Sequence, residues 1–175
     1  MKICALLLLL AVTGMAQTNS SVYSPLTERL CRPIKSPHPQ TGDYEGLCPG
    51  TAGYKLIVTE GDLRQNVTVV TPKGAKHSLD LWEVISSAFS SVGPRAEWRM
   101  SKQNGKLAPV ALIIRYNAND DLESPNKQSS YLAVTKITPS EICVTDKIMP
   151  SANANDEARR AADTAATKPC LKNPQ

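Results

Sequence analysis

Cysteine count and spacing constrain the fold of this chain more than any other feature of its sequence. After the first apolar segment, the chain contains four cysteines, at Cys31, Cys48, Cys143 and Cys170. An even number of cysteines predicts structural disulfides when a chain is exported from the cytosol. Four cysteines allow three pairings, and the count does not choose among them. Because no two form a C-x-x-C pair, the spacing favours neither a zinc site nor a redox motif.

The first sixteen residues have the order of a secretory signal peptide. Lys2 precedes the apolar segment 3–12, and small side chains at Gly14 and Ala16 precede a cleavage position. This apolar segment is much shorter than the roughly 20 residues that cross a bilayer. We therefore expect residues 1–16 to be removed, and we expect a periplasmic or secreted protein with no membrane span.

The charge of the chain argues against a nucleic-acid partner. The net charge is +4, and loss of Lys2 with the signal lowers it by one. Duplex binding requires a concentrated basic stripe, and this sequence contains no Lys/Arg cluster. Residues 17–175 are enough for one domain with a sizeable core.

Residues 17–52 are rich in proline, and they include Pro37 and Pro39 on either side of His38. Because proline cannot donate a hydrogen bond to a β-ladder, we expect these residues to form an extended N-terminal arm. A disulfide between Cys31 and Cys48 would close the arm into a loop. Such a loop contributes roughly 3 kcal/mol of stability in the chain-entropy model.

The remaining sequence predicts a single α+β domain over residues 53–170, followed by a C-terminal tail at 171–175. Two helices are predicted, at 80–92, where Gly93-Pro94 supplies the stop, and at 153–167, where alanines form one face. Trp82 lies at the edge of the apolar face of the first helix, which indicates the rim of the core. Six strands in three hairpins are predicted as an antiparallel sheet, at 54–59 with 66–71, 96–101 with 107–116, and 131–138 with 141–148.

Asn104-Gly105 predicts a two-residue turn in the middle hairpin. In the register that this turn sets, Trp98 faces Ala111 across the pair of strands. Glu97 and Arg99 then lie on the opposite face from Trp98, because side chains alternate along a strand.

The lengths of two neighbouring elements predict the second disulfide. A strand from Cys143 to Met149 runs about 20 Å at roughly 3.3 Å per residue. The helix over 153–167 returns about 21 Å at roughly 1.5 Å per residue. Cys143 and Cys170 therefore arrive at the same end of the domain, and we expect them to pair.

Glu97, Arg99 and Arg115 form the candidate polar site. A carboxylate beside guanidinium groups can bind an anion, or its pKa can be shifted for acid–base chemistry. The alternative is a structural ion pair on a half-covered sheet face. No second carboxylate accompanies Glu97, and neither His38 nor His77 belongs to a recognisable catalytic set. The sequence therefore predicts no catalytic residue and favours a protein that is not an enzyme.

Oxygen-bearing side chains alternate over residues 117–123 in the manner of a calcium-binding loop. Leu122 replaces the glycine that such a loop needs at its sharp turn, and Gln128 replaces the bidentate glutamate. We therefore expect a solvated surface loop, and the sequence predicts neither a metal nor a cofactor.

Several segments resemble a group of small exported bacterial proteins that have no assigned activity. The segments are Gly61-Asp62-Leu63-Arg64, Glu97-Trp98-Arg99, Pro109–Arg115, Tyr131–Ile137 and Ala152–Asp163. The resemblance covers most of the chain after residue 16. It implies a bacterial periplasmic or secreted setting and supplies no catalytic residues.

Three hypotheses for function follow. The first is a non-catalytic binding or envelope-associated protein whose partner is an envelope or extracellular protein or a glycan. The second is a small enzyme that acts on an anionic envelope substrate through Glu97, Arg99 and Arg115. The third is a protein inhibitor, for which residues 117–128 are the first segment to test.

Overall fold

A computed structural model describes residues 19–34, 43–103, 105–121, 123–124 and 127–173. These residues form ten strands, two helices and two short 3-10 turns. The strands are β1 (Ser20–Pro25), β2 (Arg32–Pro33), β3 (Tyr44–Pro49), β4 (Lys55–Gly61), β5 (Arg64–Val70), β6 (Lys76–Ser78), β7 (Ser90–Gln103), β8 (Lys106–Ala118), β9 (Ser129–Ile137) and β10 (Ile142–Ile148). The helices are α1 (Leu81–Val84) and α2 (Ala154–Asp163), and the 3-10 turns are Glu28–Leu30 and Ala165–Thr167.

Some of the predictions fall outside these residues. They are the signal peptide at 1–16, the Pro37-His38-Pro39 segment, Asn104 of the predicted turn, Leu122, and the end of the C-terminal tail at 174–175.

The predicted α+β fold, with six antiparallel strands and two packed helices, is wrong. The described residues form a mostly β structure with one ten-stranded mixed sheet in the order β10-β9-β8-β7-β5-β4-β3-β2. In addition, β1 pairs with β7 and β6 pairs with β5. Neighbouring strands are antiparallel except β5 and β7, which meet in parallel where Arg64 lies opposite Ser90. Of the two helices in the described part of the chain, only α2 exceeds about one turn.

The helix predicted at 80–92 ends at Val84, because sheet pairing overrides its local apolar pattern. Ser90 and Val92 lie in β7, opposite Ala118 and Tyr116 of β8. The backbone N–H of Ser90 also donates to the carbonyl oxygen of Leu63 at 2.9 Å. Pairing with a long neighbouring strand thus satisfies backbone groups that a helix would otherwise have bonded internally.

The sequence predicted an extended arm from the proline-rich stretch, but the described part of this stretch belongs to the sheet. It contributes β1, β2 and β3, and β3 pairs along its whole length with β4. The prolines in the described part are placed where a ladder tolerates a missing donor. Pro25 and Pro49 end their strands, and Pro33 lies in the short edge strand β2.

Two apolar cores lie on opposite faces of strands β7 to β10. The first contains Trp98 and Leu112 together with Leu56 and Val67 of β4 and β5. The rings of Tyr54 and Trp98 are 6.0 Å apart between centroids. The second core packs residues of β8 and β9 against the predicted alanine face of α2, and it includes Ala111, Ile113, Val134, Ala158 and Ala162. Strands β7 to β10 are therefore covered by β4 and β5 on one face and by α2 on the other.

The register predicted for the β7–β8 hairpin is correct near the turn and wrong farther from it. Lys102 lies opposite Leu107, as Asn104-Gly105 predicted, but the register shifts between Met100 and Arg99. Trp98 therefore faces Leu112 and not Ala111. The shift lies beside Pro109, which has no N–H to donate to the ladder. A one-residue shift exchanges the faces of a strand, so Ala111 lies under α2.

Both predicted disulfides are present, Cys31–Cys48 and Cys143–Cys170. The second joins β10 to the segment that follows α2. Beyond this link the N–H of Leu171 donates to the carbonyl of Val144 at 2.7 Å. The disulfide therefore fixes the C-terminal end of α2 against the sheet. Neither described helix has the length and hydrophobicity that a bilayer crossing requires.

Candidate functional site

A cavity of about 240 Å³ lies between α2 and the strands β1, β7 and β8. Four charged side chains line it, and we call it the arginine cavity. They are Arg95, Glu97, Arg115 and Arg159. Apolar lining comes from Pro94, Ile113, Leu132 and Ala158. The cavity thus combines an apolar surface with three positive charges and one negative charge.

Two ion pairs fix α2 over β7. Arg159 donates to both carboxylate oxygens of Glu97, from Nε at 2.7 Å and from Nη2 at 3.3 Å. Arg99 donates to both carboxylate oxygens of Asp163, at 2.9 and 3.0 Å. Two residues of a strand span about 6.6 Å and four residues of a helix span about 6 Å. The spacing of Glu97 and Arg99 therefore matches that of Arg159 and Asp163.

Ser21 of β1 connects the two ion pairs. Its hydroxyl donates to Glu97 Oε1 at 2.6 Å and accepts a hydrogen bond from Arg99 Nη1 at 2.6 Å. Ser21 and Arg99 are directly opposite in the β1–β7 ladder, so their side chains share one face. Tyr23, two residues along, accepts from Arg159 Nη2 at 3.2 Å. Strand β1 therefore belongs to the wall of the cavity.

The carboxyl group of Glu97 is held in its ionised form. Burial raises the pKa of Glu97, but hydrogen bonds from Arg159 and Ser21 and the charge of Arg159 outweigh burial and leave the pKa below its ordinary value. The side chain is 12% exposed. A glutamate with a lowered pKa is ionised near neutral pH, so it is a poor proton donor there.

Arg115 differs from Arg159 because its partners are neutral. It donates to Ser130 Oγ at 2.8 Å and to Asn155 Oδ1 at 3.1 Å. Ser130 in turn donates to Asn117 Oδ1 at 2.8 Å. The ion pairs found among the described residues do not include Arg115. Its positive charge faces the cavity without a compensating carboxylate.

An irregularity in β7 places Arg115 and Arg95 at the cavity. Between the Val92–Tyr116 and Ala96–Ile114 pairs, three residues of β7 lie opposite Arg115 alone. A side chain at Gly93 would put its Cβ 2.8 Å from the Cβ of Arg115, so glycine is required for this approach. Such bulges re-aim neighbouring side chains. Arg95 emerges from the bulge with its guanidinium 5.3 Å from the ring centroid of Tyr23.

Two of the three residues in the predicted site line the cavity, and the third is linked to Glu97 through Ser21. Glu97 and Arg115 line the cavity, whereas Arg99 is almost fully buried under α2 and pairs with Asp163. Sequence reasoning missed Arg95, Arg159 and Asp163. One usable signal was the matched spacing of opposite charges, two apart on a strand and four apart on a helix.

The described part of the segment from 117 to 123 forms a local turn. Its two aspartate carboxylates bind protein groups and do not converge on one point as calcium ligands would. The Asp121 carboxylate accepts from the backbone N–H groups of Glu123 and Ser124, at 3.1 and 3.2 Å. Asp120 accepts from the hydroxyl of Tyr131 at 2.5 Å. These carboxylates are thus used to fix the loop locally.

Comparison of the chain with protein families, with curated proteins and with solved structures gives no match.

The lowered pKa of Glu97 predicts a pH-dependent contribution to stability. An unfolded glutamate titrates near a pKa of about 4.3, and Glu97 in the folded protein titrates lower. The contribution is therefore complete above the unfolded pKa and is lost as the pH falls through the folded pKa. We expect the stability advantage of the wild type over Glu97→Gln to shrink between pH 5 and pH 3, measured by urea unfolding. An advantage that stays constant over this range would contradict the ionised state assigned to Glu97.

Proposed function

We propose that this protein is a small exported binding protein that holds an organic anion in the arginine cavity. The observation that carries the proposal is Arg115, a guanidinium that faces the cavity with only neutral partners. Arg95 adds a second positive charge beside it, while Glu97 and Arg159 compensate each other. An anion that enters the cavity therefore gains attraction without displacing an existing carboxylate.

The arginine guanidinium groups and a small apolar surface favour a carboxylate on a short hydrocarbon group over an inorganic anion. Planar guanidinium groups pair with planar carboxylates through two parallel hydrogen bonds. Ile113 and Leu132 also line the cavity, but they are almost fully buried, so the apolar surface that they offer a ligand is small. At about 240 Å³, the cavity restricts the ligand to a small molecule or to the end of a larger one.

The enzyme alternative has no support from this geometry. It required Glu97 to exchange a proton, with Arg99 and Arg115 holding an anionic substrate. Glu97 has a lowered pKa and is committed to Arg159, and Arg99 is buried away from the cavity. A binding role needs neither residue to react.

Titration calorimetry with benzoate, hexanoate, inorganic phosphate and neutral benzyl alcohol tests the binding proposal. We expect benzoate and hexanoate to bind, and phosphate and benzyl alcohol to bind at least ten-fold more weakly. Arg115→Gln should weaken benzoate binding at least ten-fold, because it removes the uncompensated charge. Gly93→Ala should also weaken it, because a Cβ at this position collides with Arg115.

Arg160→Gln is the matched control for charge. Arg160 lies on the exposed side of α2, next to Arg159, and does not line the cavity. This variant should bind benzoate like the wild type. The proposal is wrong if no carboxylate of the panel binds, or if Arg160→Gln weakens binding as much as Arg115→Gln does.

Export rests on the N-terminal sequence and is compatible with the two disulfides. Residues 1–16 have the order of a signal peptide, and covalent Cys–Cys links persist outside the reducing cytosol. The resemblance to small exported bacterial proteins favours a periplasmic or secreted setting in a bacterium.

The intact mass of native protein tests export. We expect a mass that lacks residues 1–16 and contains no thiol that reacts with a titrating reagent. Native protein that retains Met1 and has four reactive thiols after residue 16 would contradict the proposed compartment.

A further inference from the structure

A second cavity, of about 460 Å³, opens between the β4–β5 turn and the segment that begins with α1. One large apolar side chain lines it, that of Trp82, and the other lining side chains are polar. We call this cavity the Trp82 cleft, and its polar lining residues are Thr59, Asp62, Arg64, Asn66 and Ser87. It shares no lining residue with the arginine cavity.

Trp82 is held in an exposed position by a network of hydrogen bonds. The N–H of Leu81 donates to Asn66 Oδ1 at 3.0 Å, and Asn66 Nδ2 donates to Ser78 Oγ at 2.9 Å. Ser78 Oγ donates to Asp80 Oδ1 at 2.5 Å. Trp82 is 43% exposed although hydrogen bonds fix the start of α1, which bears it. A large exposed ring on a fixed turn is ready to contact a ligand at little entropic cost.

The opposite wall of the cleft is the two-residue turn of the β4–β5 hairpin. Asp62 and Leu63 have left-handed backbone conformations, with φ of 50° and 57°, as a tight hairpin turn requires. Arg64 Nε donates to the carbonyl of Ser87 at 2.8 Å, and its guanidinium pairs with the Asp62 carboxylate. This arrangement places one acceptor group and one donor group beside the indole, and their charges cancel.

We infer that the Trp82 cleft binds a neutral oligosaccharide, one ring of which stacks on Trp82. A sugar ring has an apolar C–H face that suits an aromatic ring, and its hydroxyl groups both donate and accept hydrogen bonds. Asp62 and Arg64 supply the acceptor and the donor.

The space beyond the indole favours a chain of sugars over a single one. Trp82 and Ser87 also line a neighbouring cavity of about 580 Å³, together with Asp120, Tyr131 and Lys147. Trp82 thus lines both cavities, and each of them also has polar lining residues. An oligosaccharide can place one ring on Trp82 and extend its next ring into the neighbouring cavity. This site is independent of the anion-binding proposal.

The chain contains two tryptophans, which makes the inference directly measurable. Trp98 is fully buried, so a change in acrylamide quenching of indole fluorescence reports on Trp82. The first step is an array of neutral glycans built from hexoses and N-acetylhexosamines, probed with the wild-type protein. The glycan that binds is then titrated in solution. We expect it to protect Trp82 from acrylamide and to bind more tightly as a trisaccharide than as a monosaccharide.

Three variants distinguish stacking of a sugar ring on Trp82 from nonspecific adsorption to the protein surface. Trp82→Ala should weaken glycan binding at least ten-fold, and Trp82→Phe should restore most of it because an aromatic face remains. Leu107→Ala is the control, since Leu107 is 61% exposed and lines neither the Trp82 cleft nor the neighbouring cavity. The inference is overturned if no neutral glycan on the array binds, or if Trp82→Ala binds like the wild type. Equal losses in Leu107→Ala and Trp82→Ala would overturn it as well.

Discussion

The buried guanidinium of Arg99 is the constraint on which the α2 face of the protein depends. Its side chain is 8% exposed, and a charge buried to that extent is tolerated only when it is paired and hydrogen-bonded. Asp163 supplies the pair from the last residue of α2, where a negative charge is unfavourable for the helix itself. Pairing with Arg99 compensates for that position. The alanine face then packs closely on β8 and β9, and the arginine cavity forms beside it.

The local chemistry of the sequence predicted part of this structure. The proline-rich sequence between Cys31 and Cys48 and the element lengths between Cys143 and Cys170 predicted the two disulfides, and alanine periodicity predicted the buried face of α2. Glu97 and Arg115, which line the arginine cavity, were predicted as candidate site residues from alternation along a strand and from proximity to its end, which are local properties. The predicted β7–β8 register is wrong beyond Pro109. The predicted first helix is wrong because β7 already begins at Ser90. Those outcomes depend on pairing between segments that are distant in sequence, and local periodicity does not predict such pairing.

The two cavities use opposite electrostatic arrangements within one chain. In the arginine cavity the charges do not cancel, because Arg115 has only neutral partners. In the Trp82 cleft the Asp62–Arg64 pair leaves no net charge beside the indole. The first arrangement depends on the bulge at Gly93, and the second depends on the tight hairpin turn at Asp62.

Hydrogen exchange in Asp163→Asn tests most directly whether the Arg99–Asp163 pair holds α2 over the sheet. The account predicts that amides of residues 154–163 exchange at least ten-fold faster than in the wild type, while amides of β8 and β9 keep their protection. Asp156→Asn is the control, because Asp156 forms only an exposed ion pair within α2 and should leave exchange unchanged. Unchanged protection of α2 in Asp163→Asn would contradict the account.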